Sequence, residues 1–207
     1  MQNAKKLKGL YLITDDTLTP ATTVLAQVEE SLKGGARIIQ LRNKNGSNKE
    51  KLTQAKSLQE LCKKYDATFV LNDEIELAYE LQCDGLHIGR SDHHRFKEIR
   101  ENFDGILGVS CYGDIDLAKH FEDQGADYVA FGSFFPSPTK PNSDIVPLKT
   151  LEIAKEKLKI PICSIGGINS KNVDEILRYE PDMICLISDI WINENILDHT
   201  KNYVTKL

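Results

Sequence analysis

Short apolar runs recur along this chain, each followed by a polar loop and then by a segment whose apolar residues return at helical spacing. Eight runs read as strands: 9–14 "GLYLIT", 37–42 "RIIQLR", 68–72 "TFVLN", 85–88 "GLHI", 106–110 "ILGVS", 127–132 "DYVAFG", 161–165 "PICSI" and 182–187 "DMICLI". Thr19-Pro20 predicts the start of the first helix, with proline at its first position and Gly34-Gly35 closing it. Ser47 to Glu50, "SNKE", is a capping-box pattern ahead of Leu52, Ala55, Leu58 and Leu61. A helix beginning near Asp114 ends at Gly125, and Ser170 is predicted to cap the one in "KNVDEILRY". Strand–helix alternation at this spacing implies parallel strands joined by crossover helices. Eight repeats in 207 residues predict one (β/α)8 barrel domain over residues 1–207, at the small end for that fold. An open, doubly wound sheet is disfavoured because "LITDDTLTP", after the first strand, lacks a G-x-G-x-x-G turn.

Composition narrows the function classes. Hydrophobic residues are 41% and charged residues 28%, ordinary for a soluble globular protein. No apolar run approaches the ~20 residues of a membrane span, and no signal-peptide h-region precedes the first strand. A net charge of -5 argues against nucleic acid as a partner, so an anionic ligand must be held by a local cluster of cations. The five cysteines are odd in number and none is in CxxC spacing; free buried thiols in a reducing cytoplasm are expected, not a disulfide framework or a zinc site. The oligomeric state is left open, a homo-oligomer included.

A barrel of this kind builds its active site at the C-terminal ends of its strands. In "RIIQLRNK", Ile38, Gln40 and Arg42 share one strand face, and Lys44 joins them if the strand extends. Polar side chains there are costly unless something satisfies them, and two cations in register point to an anion. Asn72 and Asp73 end the third strand, and Asp92 follows the fourth; two carboxylates at adjacent strand ends suit Mg²⁺ completed by water and phosphate, although either alone reads as a helix cap. Gly166-Gly167 and Ser188 follow the last two strands, where barrels often bind phosphate. After strand six, Ser137, Thr139 and Lys140 lie among Pro136, Pro138 and Pro141, which reads as a preorganised substrate clamp. Ser110 completes the rim. His87 is expected to be a satisfied core histidine, inside the barrel or under a helix, His93 and His94 surface residues near the rim, and His120 and His199 solvent-facing on helices. Cys111 has no local base, so no nucleophile–base arrangement is expected.

Taken together, "QLRNK", "LNDE", "DGLHIGRSD", "GVS", "GADYVAFGSFFPSPTK", "SIGGI" and "LIS" resemble the thiamine-phosphate synthase family in order and spacing, from about residue 9 to 190. The resemblance implies two small phosphorylated substrates. Gln40, Leu41, Arg42, Asn43 and Lys44, with Asn72, Ser110 and Lys140, would hold 4-amino-2-methyl-5-(diphosphooxymethyl)pyrimidine. Asp73 and Asp92 would hold Mg²⁺. Ser137, Pro138, Thr139, Gly167, Ile187 and Ser188 would hold the thiazole phosphate. Diphosphate would leave the pyrimidine methylene and the thiazole nitrogen attack it, with Lys140, Arg42, Lys44 and Ser110 as the catalytic groups and no covalent nucleophile. Arg90 stands where the family commonly has glutamine, and Cys111-Tyr112 where other members often carry a different pair. The alternatives on the same scaffold are a thiazole tautomerase, another phosphate-binding barrel and a non-catalytic sensor of a thiamine precursor.

Overall fold

The computed structural model describes residues 7–137 and 143–207. Eight parallel strands close into a barrel in chain order: β1 (Gly9–Ile13), β2 (Ile38–Leu41), β3 (Thr68–Asn72), β4 (Gly85–Ile88), β5 (Ile106–Tyr112), β6 (Tyr128–Phe131), β7 (Ile162–Ser164) and β8 (Met183–Leu186). The helices between them are α1 (Val24–Lys33), α2 (Asn48–Lys64), α3 (Ile75–Leu81), α4 (Phe96–Asn102), α5 (Ile115–Asp123), α6 (Lys149–Lys157) and α7 (Val173–Leu177). A short α8 (Ser188–Trp191) and α9 (Ile196–Val204) follow β8. No helix among the described residues is long and apolar enough to cross a membrane.

The period-two alternation of strand side chains divides the core in two. Outward-facing residues such as Leu12, Ile39, Leu41, Leu71 and Val109 pack against the helices. Inward-facing Tyr11, Ile38, Val70, Ile106, Tyr128, Cys163 and Met183 fill the barrel. All five cysteines are free and buried, and burial pushes the thiols of Cys62, Cys83 and Cys111 up to about 12, as expected of inert core thiols. At the N-terminal end, three aspartates recur just ahead of even-numbered strands. Asp84, Asp127 and Asp182 accept the backbone N–H of Phe69, Leu107 and Ile162 at 3.0, 2.8 and 2.9 Å, each stitching the start of the preceding strand.

The strands lie within a residue or two of the predicted runs, and the Ser47–Glu50 capping box forms as expected, with Ser47 Oγ accepting the Glu50 N–H. Three local features differ. Pro20 opens a turn, its carbonyl accepting the Thr23 and Val24 N–H groups, and α1 begins only at Val24. Asn172, not Ser170, precedes α7; its Oδ1 accepts the Asn169 N–H and its Nδ2 donates to the Gly167 carbonyl. β5 runs two residues beyond Ser110, because a bulge between Ser110 and Tyr112 shifts its register against β6.

Candidate active site

A cavity of about 500 Å³ opens at the C-terminal mouth of the barrel. One wall is made by Gln40, Arg42, Asn72, His87 and Ser110, and the opposite one by Ser133, Ser137, Ile165, Gly166 and Ile187. Gln40, only 1% exposed, donates from Nε2 to the Tyr11 hydroxyl at 2.7 Å, while its Oε1 has no partner among the described residues. Arg42, just past the end of β2, is fixed through its backbone, whose N–H donates to Thr14 Oγ1 at 3.0 Å. No carboxylate pairs with its guanidinium among the described residues. A half-buried cation that lines a cavity and forms no ion pair among the described residues has the chemistry to take up an anion.

The β2 strand stops at Leu41, so the condition under which Lys44 would join that face is not met. Lys44 is exposed on the following loop, its N–H donating to the Asp16 carboxylate at 3.1 Å, and it is not part of the cavity lining. Leu41 faces outward into the barrel–helix core. Asn43 serves its own loop: Nδ2 donates to Gln54 Oε1 at 2.7 Å and Oδ1 accepts the Gly46 N–H at 2.7 Å. Leu41 and Asn43 line a separate cavity of about 230 Å³, which shares Arg42 with the larger one.

Asp73 follows β3 with φ of 62°, a left-handed conformation that aspartate tolerates better than most side chains. Its Oδ1 accepts the Gly89 N–H at 3.2 Å and its Oδ2 the Asn72 amide at 2.7 Å, so the carboxylate bridges the ends of β3 and β4. Asp92 lies in a 3-10 turn, Arg90–Arg95, and accepts from Ser91 Oγ at 2.6 Å. The two unusual positions noted in the sequence meet here. The Arg90 guanidinium sits 4.3 Å from the centre of the Tyr112 ring, Tyr112 has φ of 60°, and both line the cavity.

His87 is buried as expected, with Nδ1 2.9 Å from the Tyr128 hydroxyl and Nε2 2.9 Å from Ser110 Oγ. His93 is not a plain surface residue: Nε2 donates to the Ser110 carbonyl at 3.1 Å, its ring edge meets Phe121, and burial lowers its pKa. His199 does not face solvent either. It contacts the Asp189 carboxylate at 2.7 Å, which also accepts from the Tyr203 hydroxyl at 2.6 Å, tying α8 to α9. His94 and His120 are exposed.

The glycines after β7 pack closely against the β6 loop. A methyl group on Gly166 would overlap Ser133, and one on Gly167 the carbonyls of Phe135 and Pro136. Their positive φ values, 101° and 64°, and missing side chains let the β7 loop lie directly against the β6 loop, sealed by the Phe135 N–H donating to the Gly166 carbonyl at 3.0 Å. Gly166 and Ile187 reach the cavity, whereas Gly167 and Ser188, one residue further on, do not line it. The segment from Ser143 to Thr150 adds Ile145, Val146 and Pro147 to the wall, a contribution no sequence motif signals. Ser137 lines the cavity; Pro138, Thr139 and Lys140 lie outside the described residues.

The family model described as thiamine monophosphate synthase matches residues 10–190. The chain belongs to this family. It is 42% identical over 187 residues to the thiamine-phosphate synthase of Wolinella succinogenes, covering 90% of this chain and 86% of the relative. It is 41% identical to the thiamine-phosphate synthase of Picrophilus torridus, covering 98% of each. The solved structure of thiamine phosphate pyrophosphorylase from Pyrococcus furiosus superposes with a TM-score of 0.87 at 35% identity, over 97% of this chain and 95% of that one. The thiamine monophosphate synthase family model thus spans the strands, all but Gly9 at the start of β1, and both walls of the cavity.

Proposed function

We propose that the protein is a transferase that joins the aminopyrimidine diphosphate to the thiazole phosphate, giving thiamine phosphate and diphosphate. The observation that supports this reading best is the mouth cavity, which sets Gln40, Arg42, Asn72 and Ser110 against the β6 and β7 loops within a chain of this family. The bond that breaks joins the pyrimidine methylene carbon to the diphosphate oxygen, which keeps the electron pair. The bond that forms joins that carbon to the thiazole nitrogen. No covalent nucleophile is needed. The protein aligns the two substrates and stabilises charge on the departing group. Arg42 is the cation best placed for the diphosphate, and Lys140 supplies the second on the reading of the β6 loop as a clamp. Lys44, exposed on its loop, acts only if that loop moves toward the cavity. Leu41 and Asn43 contribute through loop shape. Ser137, Pro138, Thr139, Gly167, Ile187 and Ser188 are assigned to the thiazole phosphate.

Asp73 and Asp92 have the donor chemistry for Mg²⁺: two carboxylates, hard oxygen donors, at the ends of adjacent strand loops. Among the described residues no group of three or more metal-ligating side chains occurs. When bound, Mg²⁺ would offset charge on the diphosphate. The five buried free thiols accord with a reducing cytoplasm.

The reading is tested by incubating purified protein with both substrates and following thiamine phosphate as thiochrome fluorescence. Product is expected with Mg²⁺ and none with excess chelator. No product from folded protein that still binds the thiazole phosphate would move the assignment to a tautomerase or a sensor. Lys140→Ala is expected to reduce turnover by roughly 100-fold with an unchanged melting temperature. Activity near that of the parent enzyme would remove Lys140 from the assigned machinery.

A further inference from the structure

The barrel interior carries a polar chain that packing alone does not call for. Five side chains from five strands or strand ends connect in series: Gln40 Nε2 to the Tyr11 hydroxyl at 2.7 Å, Tyr11 to Tyr128 at 2.9 Å, Tyr128 to His87 Nδ1 at 2.9 Å, and His87 Nε2 to Ser110 Oγ at 2.9 Å. Four of the five are buried, and Ser110 is half-buried at the cavity. Burial raises the pKa of both phenols well above the usual tyrosine value, so each stays neutral and has one hydrogen to give.

That single hydrogen fixes the direction. Gln40 donates to Tyr11, so the Tyr11 hydrogen goes to Tyr128 and the Tyr128 hydrogen to His87 Nδ1. In the neutral imidazole the proton then sits on Nε2 and is donated to Ser110, which leaves the Ser110 hydroxyl hydrogen for the cavity. At the opposite end, Gln40 Oε1 is buried and without a partner among the described residues. Leaving such an acceptor unmet is costly, and both ends line the same cavity.

We propose that Tyr11, Tyr128 and His87 are positioning residues whose hydrogen bonds run in one direction, so that Gln40 presents an acceptor and Ser110 a donor to an aminopyrimidine. The inference deepens the synthase reading and rests on it. An exocyclic amine next to a ring nitrogen offers the complementary pair, a donor for Gln40 Oε1 and an acceptor for the Ser110 hydroxyl. Reversing the chain requires the Gln40 amide to turn end over end and the His87 proton to move to Nδ1. Amide orientation and imidazole tautomer are therefore a single variable.

The test combines spectroscopy with kinetics. In ¹⁵N-labelled, substrate-free protein in mildly alkaline solution, the ring-nitrogen shifts of His87 are expected to report the Nε2–H tautomer. In Tyr128→Phe, the Tyr11 hydrogen has no acceptor left except Gln40 Oε1, so the amide turns and the acceptor is lost to the substrate. KM for the pyrimidine diphosphate then rises about tenfold, while KM for the thiazole phosphate is unchanged. Adding Tyr11→Phe removes the competing hydrogen, and the double variant recovers part of the lost affinity, which no purely structural damage would do. An Nδ1–H tautomer in the parent protein overturns the proposal, as does an unchanged pyrimidine KM in Tyr128→Phe or a double variant no better than the single. Should Tyr128→Phe not fold, the tautomer of the parent protein still decides. If the parent protein makes no thiamine phosphate, the synthase reading falls, and the tautomer still reports the direction of the chain.

Discussion

Arg42→Gln is expected to lower kcat/KM by roughly 100-fold or more while leaving the melting temperature where it was. The residue is fixed by its backbone, through the N–H to Thr14 Oγ1, and its guanidinium forms no ion pair among the described residues. Removing the charge therefore breaks no structural salt bridge. It does remove a preorganised cation from the wall beside Gln40 and Asn72, where charge on a departing diphosphate would develop. Arg42→Lys is expected to recover only part of the loss, because an ammonium group lacks the planar fork that engages two phosphate oxygens together. Steady-state kinetics on both variants, beside thermal melts, checks this. A fall in melting temperature that tracked the loss of activity would make Arg42 a structural residue instead.

The second large effect is on stability. Gly108→Ala is expected to destabilise the barrel by about 1–3 kcal/mol, read as a lower denaturant midpoint at constant slope. Gly108 is paired in register with Tyr128, and a methyl group built on it would overlap the Tyr128 ring. The ring has little room to retreat: it meets Tyr11 edge-on with centroids 6.0 Å apart and stacks on His87 at 5.5 Å. Relief has to come from moving a fully buried aromatic side chain, and with it two links of the polar chain. Unchanged stability in this variant would show that the interior is looser than its geometry implies.

The strands were legible because each is a short apolar run bounded by polar or glycine residues, and eight such runs leave few architectures open. The ends of elements were less so, since neighbouring residues compete for the same role. Pro20 suits a first helical position, yet it opens a turn, and Asn172 holds the α7 loop where Ser170 was expected to cap. Gln40 and Arg42 could be placed at the mouth from strand phase, and Asn72 and Ser110 from their positions at strand ends. Lys44 could not, because its position depended on a strand that stops three residues earlier. The link from Tyr11 to Tyr128 spans 117 positions, and each residue taken singly looks like an ordinary core aromatic. The Arg90–Tyr112 pair was equally hidden: two positions that the sequence leaves unconnected turn out to touch.

The close seating of the β7 glycines under the β6 loop has a consequence for binding. Main-chain hydrogen bonds and contacts that leave no room for a methyl group join the β7 loop to the β6 loop as far as Pro136. On the proposed assignments, the β6 loop also carries the lysine that faces the diphosphate, while its hydroxyls and the glycine turn face the thiazole phosphate. On those assignments the two substrates are expected to bind with mutual preference, read as a lower dissociation constant for one in the presence of the other.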